Sequence, residues 1–136
     1  MGLECHDPSD PHEWLRRARS NFARASAEPT DPEILLEDLC FDAQQAAEKA
    51  IKAVLVHRRI HFPKTHAMAD LFSLAAKNGV EVPTNVSAAA ALTTYAVETR
   101  YPGVVESVSH EEWIEAVASA NLVLRWAVAV IGPPGN

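Results

Sequence analysis

The sequence predicts an all-α protein, an antiparallel up-and-down bundle of about five helices. Three observations lead there. Apolar residues between Leu36 and Val54 recur at steps of three and four, the period of a helix with one buried face. No segment alternates with the period of two that a half-buried strand requires. Proline and glycine punctuate the chain at intervals that leave room for helices joined by short connections. The 136 residues and 48% hydrophobic content suffice for one core without disulfides or metal.

The first helix is expected over Pro11–Ser26. Asp10 is a good N-cap and Pro11 suits the first helical position. Trp14, Leu15, Ala18, Phe22 and Ala25 share its apolar face. The second helix is expected to start after Thr30 or Asp31, with Pro32 in its first turn, and to reach His57. Arg58–Lys64 reads as a connection broken by Pro63. A third helix is expected over Thr65–Asn78, capped by Thr65 and stopped by Gly79. A fourth follows Pro83 to about Thr99, before a turn at Pro102-Gly103. The fifth opens with Ser109 and Glu112, at capping-box spacing, and runs to Ile131 before Gly132. One domain thus spans 11–131, between a flexible tail at 1–10 and a short one at 132–136.

Composition excludes several classes. A net charge of -6 argues against broad, nonspecific nucleic-acid binding, though a local basic groove remains compatible with it. Two cysteines, Cys5 and Cys40, form neither a disulfide framework nor a metal motif and suit a reducing, cytoplasmic setting. The first residues have no basic stretch followed by an apolar run, so no signal peptide is expected. The apolar stretch 116–131 is interrupted by Ser119, Asn121 and Arg125, which favours a buried helix over a membrane span. His57 and His61 stand four apart, but Pro63 and the helix end spoil that pairing and no carboxylate completes it, so no metal or cofactor is expected.

The polar candidates cluster on the second helix and its exit. Lys49, Lys52, Arg58, Arg59 and Lys64, with His57, His61 and His66, make the one concentrated basic segment. It reads as a phosphate-binding patch or as cations favoured at a helix C-terminus. The second reading suits Arg58 and Arg59 better than Lys49 and Lys52, which lie further into the helix. Gln44, Gln45 and Glu48 fall on or beside the apolar stripe and need partners, either a ligand or a seam of the bundle or of a dimer; the seam is favoured. Arg100 and Tyr101 close the fourth helix, either as a terminator or as a phosphate clamp with a stacking ring.

Several of these residues carry a resemblance. Trp14-Leu15 with Ala18, then Ala43-Gln44-Gln45-Ala46-Ala47-Glu48-Lys49-Ala50-Ile51-Lys52-Ala53, then Thr65-His66 with Leu71, and Tyr95, Val97-Glu98 and Arg100-Tyr101-Pro102 follow one another over roughly 11–131. In this order the chain resembles the HEPN domain family. The resemblance implies a bundle that is usually dimeric and often encoded beside a minimal nucleotidyltransferase, with which it forms a toxin–antitoxin pair. Many members are metal-independent RNases with an Arg, about four to six residues, then a His, late in the chain and completed across a dimer. Others bind nucleotides or act as non-catalytic partners.

The late pair is missing at its usual spacing. Nine residues separate Arg100 from His110, with Pro102-Gly103 between them. Arg59 and His66 are separated by six, but lie at the junction of the second and third helices, and a chance match of that kind is expected in a chain this long. The first expectation is therefore a dimeric nucleotide-binding or regulatory module, partnered with a nucleotidyltransferase, using Lys49, Lys52, Arg59, His66, Arg100 and Tyr101 toward a nucleotide or RNA. The alternatives are an RNase toxin using Arg100 with His66 or His110, and a purely structural dimer module.

Overall fold

A computed structural model describes residues 8–97 and 107–134. Among these residues every regular element is helical: α1 (Pro11–Ser26), α2 (Leu36–His57), α3 (Met68–Lys77), α4 (Thr84–Ser87), a 3₁₀ segment (Ala88–Leu92), α5 (Thr93–Val97) and α6 (His110–Ile131). The first seven residues, Cys5 included, Arg100, Tyr101 and the expected Pro102-Gly103 turn, and the last two residues lie outside the described residues.

α2 is the central element. It packs against α1, α3, α5 and α6, while α1 and α6 also meet each other. Its five alanines Ala43, Ala46, Ala47, Ala50 and Ala53 are all fully buried, together with Ile51, Val54 and Leu55. Burial of so many small side chains brings neighbouring helices close to the α2 backbone. The side-chain bonds Arg24–Asp42 and Asn21–Lys49 join later residues of α1 to earlier residues of α2, so the two run antiparallel. α6 starts at the far end of α1, where the buried Trp113 indole donates to the Ala25 carbonyl at 2.7 Å.

The caps of α1 and α6 are as the sequence predicts. Asp10 accepts from the His12 amide, and Ser109 and Glu112 form a reciprocal capping box. Two helix starts differ. α2 begins at Leu36, because Asp31 accepts from the Glu33 amide and holds 31–34 as a separate turn, leaving Leu35 extended. α3 begins at Met68. The Thr65 hydroxyl caps the Ala67 amide, and the Met68 amide is taken by the Thr93 hydroxyl from α5. His66 therefore precedes α3 instead of lying in its first turn.

The expected fourth helix is broken into α4, the 3₁₀ segment and α5. Its buried residues fit the break: Val86, Ala89 and Leu92 face inward at steps of three, which a 3₁₀ helix keeps in line while an α-helix drifts by about 60° per step. Ala96, one step of four later, restores the α period.

α6 has the length and hydropathy of a membrane-crossing helix. One of its faces, from Trp113 through Ala116, Ala120, Val123 and Ala127 to Ile131, is spent on the bundle core. Cys40 is a free thiol, fully buried; burial and the neighbouring carboxylates Glu112 and Glu37 push it up to about 11, against a hydrogen bond with Tyr95.

The tight packing on α2 is testable. Ala47→Leu should lower stability by about 1–3 kcal/mol through overpacking, read as a lower midpoint in urea unfolding.

Candidate functional site

The polar residues of α2 form two hydrogen-bonded networks, one reaching the segment before α3 and the other reaching α1. Glu48, 4% exposed, lies at the centre of the first. One carboxylate oxygen, Oε1, accepts from Gln44 Nε2 at 2.8 Å and meets His66 Nδ1 at 3.0 Å. The other, Oε2, pairs with Lys52 Nζ at 2.9 Å. Gln45 donates to Gln44, whose amide is fully buried. In the second, Lys49 donates to Asn21 on α1 at 2.7 Å, and Asn21 donates to Asp42, which also receives Arg24. Each buried side-chain nitrogen and oxygen among the described residues has a hydrogen-bond partner.

The electrostatics follow from this wiring. Burial pushes the Glu48 carboxyl up, but hydrogen bonds from Lys52, His66 and Gln44 and the Lys52 charge outweigh it and hold the group below its ordinary range. Burial lowers Lys49, and the nearby charges of Arg17 and Arg24 lower it further, against Glu48 and Asp42.

Beside these networks lies a cleft of about 630 Å³, lined by Trp14 from α1, Val56 at the end of α2, and Arg59, Ile60, His61 and Phe62 from the connection, with Pro8 and Ser9 at its edge. The Trp14 and Phe62 rings meet edge to face at 6.3 Å, with the Lys52 ammonium 5.9 and 5.7 Å from their centroids. A second hollow of about 420 Å³, on the Arg17 and Lys49 side, shares Trp14 and Pro8. The two hollows flank one indole.

Arg59 at the cleft has an unusual backbone. α2 and α3 end in the same hydrogen-bonded motif: Arg59 and Ile60 donate to the carbonyls of Val56 and Leu55, and Gly79 and Val80 to those of Ala76 and Ala75. Both motifs need a left-handed residue. In α3 it is Gly79, with φ 86°; in α2 it is Arg59, with φ 58°. An arginine there costs about 1–2 kcal/mol that a glycine avoids. Its exposed guanidinium has no ion pair among the described residues.

The structure thus sorts the sequence candidates. Lys52 and His66 share one network with Glu48, Gln44 and Gln45, whereas Lys49 belongs to the other with Asn21. Of the expected seam residues, Glu48 bonds across the bundle to His66, while Gln44 and Gln45 bond along α2. Arg59 stands apart from both networks, at the cleft. His110 is elsewhere, 3.9 Å from Glu28 and edge-on to Trp113; no hydrogen bond or ion pair joins it to His66 among the described residues. Trp14 and Phe62 were not singled out as site residues. Trp14 reads in sequence as one more core aromatic, and Phe62 has no signal beyond its neighbours Pro63 and His61.

A helical bundle with a polar seam buried along its central helix, opening beside an aromatic cleft, is the class of protein defined here. The chain belongs to the HEPN domain family, which matches residues 11–131. Two solved structures share the fold. TT1696 from Thermus thermophilus is 28% identical, with a TM-score of 0.75, covering 88% of this chain and 97% of that one. ST0689, an archaeal HEPN homologue, is 22% identical, with a TM-score of 0.70, covering 90% and 98%. A search of curated proteins finds no match.

The depressed Glu48 carboxyl sets a pH test. A folded value below the ordinary 4.5 means its contribution to stability is complete above that pH and is lost as pH falls through the folded value. Glu48→Gln should therefore destabilise by about 2–4 kcal/mol at pH 7, by leaving Lys52 unpaired. In urea melts run down the pH scale, the gap between the two proteins should close only below pH 4.5.

Proposed function

We propose that this HEPN protein is a nucleotide-binding regulatory module of the cytoplasm, acting as a homodimer beside a nucleotidyltransferase partner. The observation that carries the nucleotide reading is Arg59. A helix end that α3 closes with glycine is closed in α2 with a strained arginine, at a cleft large enough for a nucleotide and walled by Trp14 and Phe62. In this reading Arg59 takes phosphate oxygens by charge-assisted hydrogen bonds, and the aromatic wall takes the base. Lys49 and Lys52 set the positive potential behind it and hold the cleft in shape through Asn21 and Glu48. The dimer and the nucleotidyltransferase partner are proposed from family membership.

One observation favours a second reading, metal-independent RNA cleavage. His66 is half exposed and its Nδ1 is held by Glu48, while Nε2 has no hydrogen-bond partner among the described residues. A carboxylate-oriented imidazole is the arrangement of a general base. In that chemistry it takes the proton from a ribose 2′-hydroxyl, the resulting oxygen attacks the adjacent phosphorus to close a 2′,3′-cyclic phosphate, and the 5′-oxygen leaves with a proton from water. A cationic Arg steadies the charge on phosphorus.

Titration with ATP and GTP, followed by calorimetry on tag-free protein, separates the readings. Binding at or below millimolar concentration is expected, and its absence for both overturns the nucleotide reading. Arg59→Gly should weaken binding about tenfold, the loss of one charge-assisted contact, while raising stability by about 1 kcal/mol through relief of the left-handed arginine. Cleavage of RNA in the presence of EDTA, abolished by His66→Ala in a folded protein, would install the second reading instead.

A further inference from the structure

α6 has a second apolar face that the bundle does not use. Ile114 is 51% exposed and Leu122 39%, and Ala118, between them, is exposed as well. At about 100° per residue these three fall on one stripe, centred on Ala118 and turned away from the Trp113–Ile131 face.

The order of residues along this stripe is symmetric about its centre. Reversing the helix about Ala118 brings Leu122 onto Ile114, four positions away on either side. It brings Arg125 onto Glu111, seven positions away. Apolar meets apolar, and cation meets carboxylate. At about 1.5 Å rise per residue, Arg125 and Glu111 of opposed helices stand level, about 10 Å from the centre. A parallel pairing in register would instead set Arg125 against Arg125 and Glu111 against Glu111. The small side chain of Ala118 at the crossing point permits close approach of two helices.

We propose that this face is a two-fold dimer surface whose occupant is α6 of a second copy, packed antiparallel about Ala118. The surface is isologous: each residue named meets its counterpart twice, once on either side of the axis. Every residue in it is exposed or half exposed in the single chain, so the bundle folds without it. The proposal rests on the dimer part of the reading above and is independent of nucleotide binding.

Sedimentation equilibrium of the full, tag-free chain tests it by charge exchange. The wild type should dimerise. Glu111→Arg and Arg125→Glu should each weaken the dimer about tenfold, roughly 1.4 kcal/mol, and the double variant Glu111→Arg/Arg125→Glu should recover to within about threefold of wild type. Leu122→Glu should be monomeric, with an unchanged helical circular dichroism spectrum. A dimer indifferent to all these changes overturns the α6 face while leaving the dimer itself in place. Failure of the double variant to recover also overturns the pairing. A wild-type monomer overturns both the face and the dimer, and the ATP and GTP titration still judges the nucleotide reading. A monomer that pellets with phosphatidylcholine vesicles only when Leu122 is intact would assign the face to a lipid surface and overturn the pairing.

Discussion

One carboxylate organises this protein. Glu48 sits midway along the helix against which α1, α3, α5 and α6 pack, in surroundings of alanine that offer it no solvation. A buried charge is tolerated only with partners at hand. Those that Glu48 has come from three distances in sequence. Gln44 and Lys52 are one helical turn away on either side, and His66 arrives from 18 residues on. The last contact ties the connection before α3 to the middle of α2. Lys52, drawn inward by the same carboxylate, lies near the Trp14 and Phe62 rings, which links α1 and the cleft to the same centre.

The legible parts of the fold were those set by local chemistry. Asp10 with Pro11, and Ser109 with Glu112, announce helix starts because capping acts within one turn. The alanine stripe of α2 announces burial because its period is intrinsic to the helix. The misplaced boundaries have non-local causes or depend on competing local turns. Thr65 is a good cap in isolation, yet α3 starts at Met68, where a hydroxyl from Thr93, 25 residues later, takes the amide. Val86, Ala89 and Leu92 carry a three-residue period in plain view, but a run of alanines masks it, since alanine suits the α-helix best of all residues.

The site was partly legible for the same reason. Glu48, Lys52 and Gln44 interact at helical spacing and could be singled out as a polar cluster. That His66 completes the cluster and His110 does not depends on the path of the chain through Pro63, which no spacing rule describes. Arg59 stood among several cations at a helix exit. Its distinction, a left-handed backbone where α3 has Gly79, belongs to dihedral angles and has no signature in composition.

Pro8 has a practical consequence. The Trp14 indole donates to its carbonyl at 2.8 Å, and Pro8 lines both hollows on either side of that ring. The chain ahead of α1 therefore enters the bundle at the lip of the cleft. An affinity tag fused ahead of Pro8 is tethered through the intervening residues to the lip of the cleft, where even a weak attraction is amplified by a raised effective concentration. A histidine tag carries rings that stack and imidazoles that bind anions when protonated, so it would compete with any ligand of the cleft or imitate one. Preparations tagged after α6, or freed of their tag, are the ones on which the cleft can be studied.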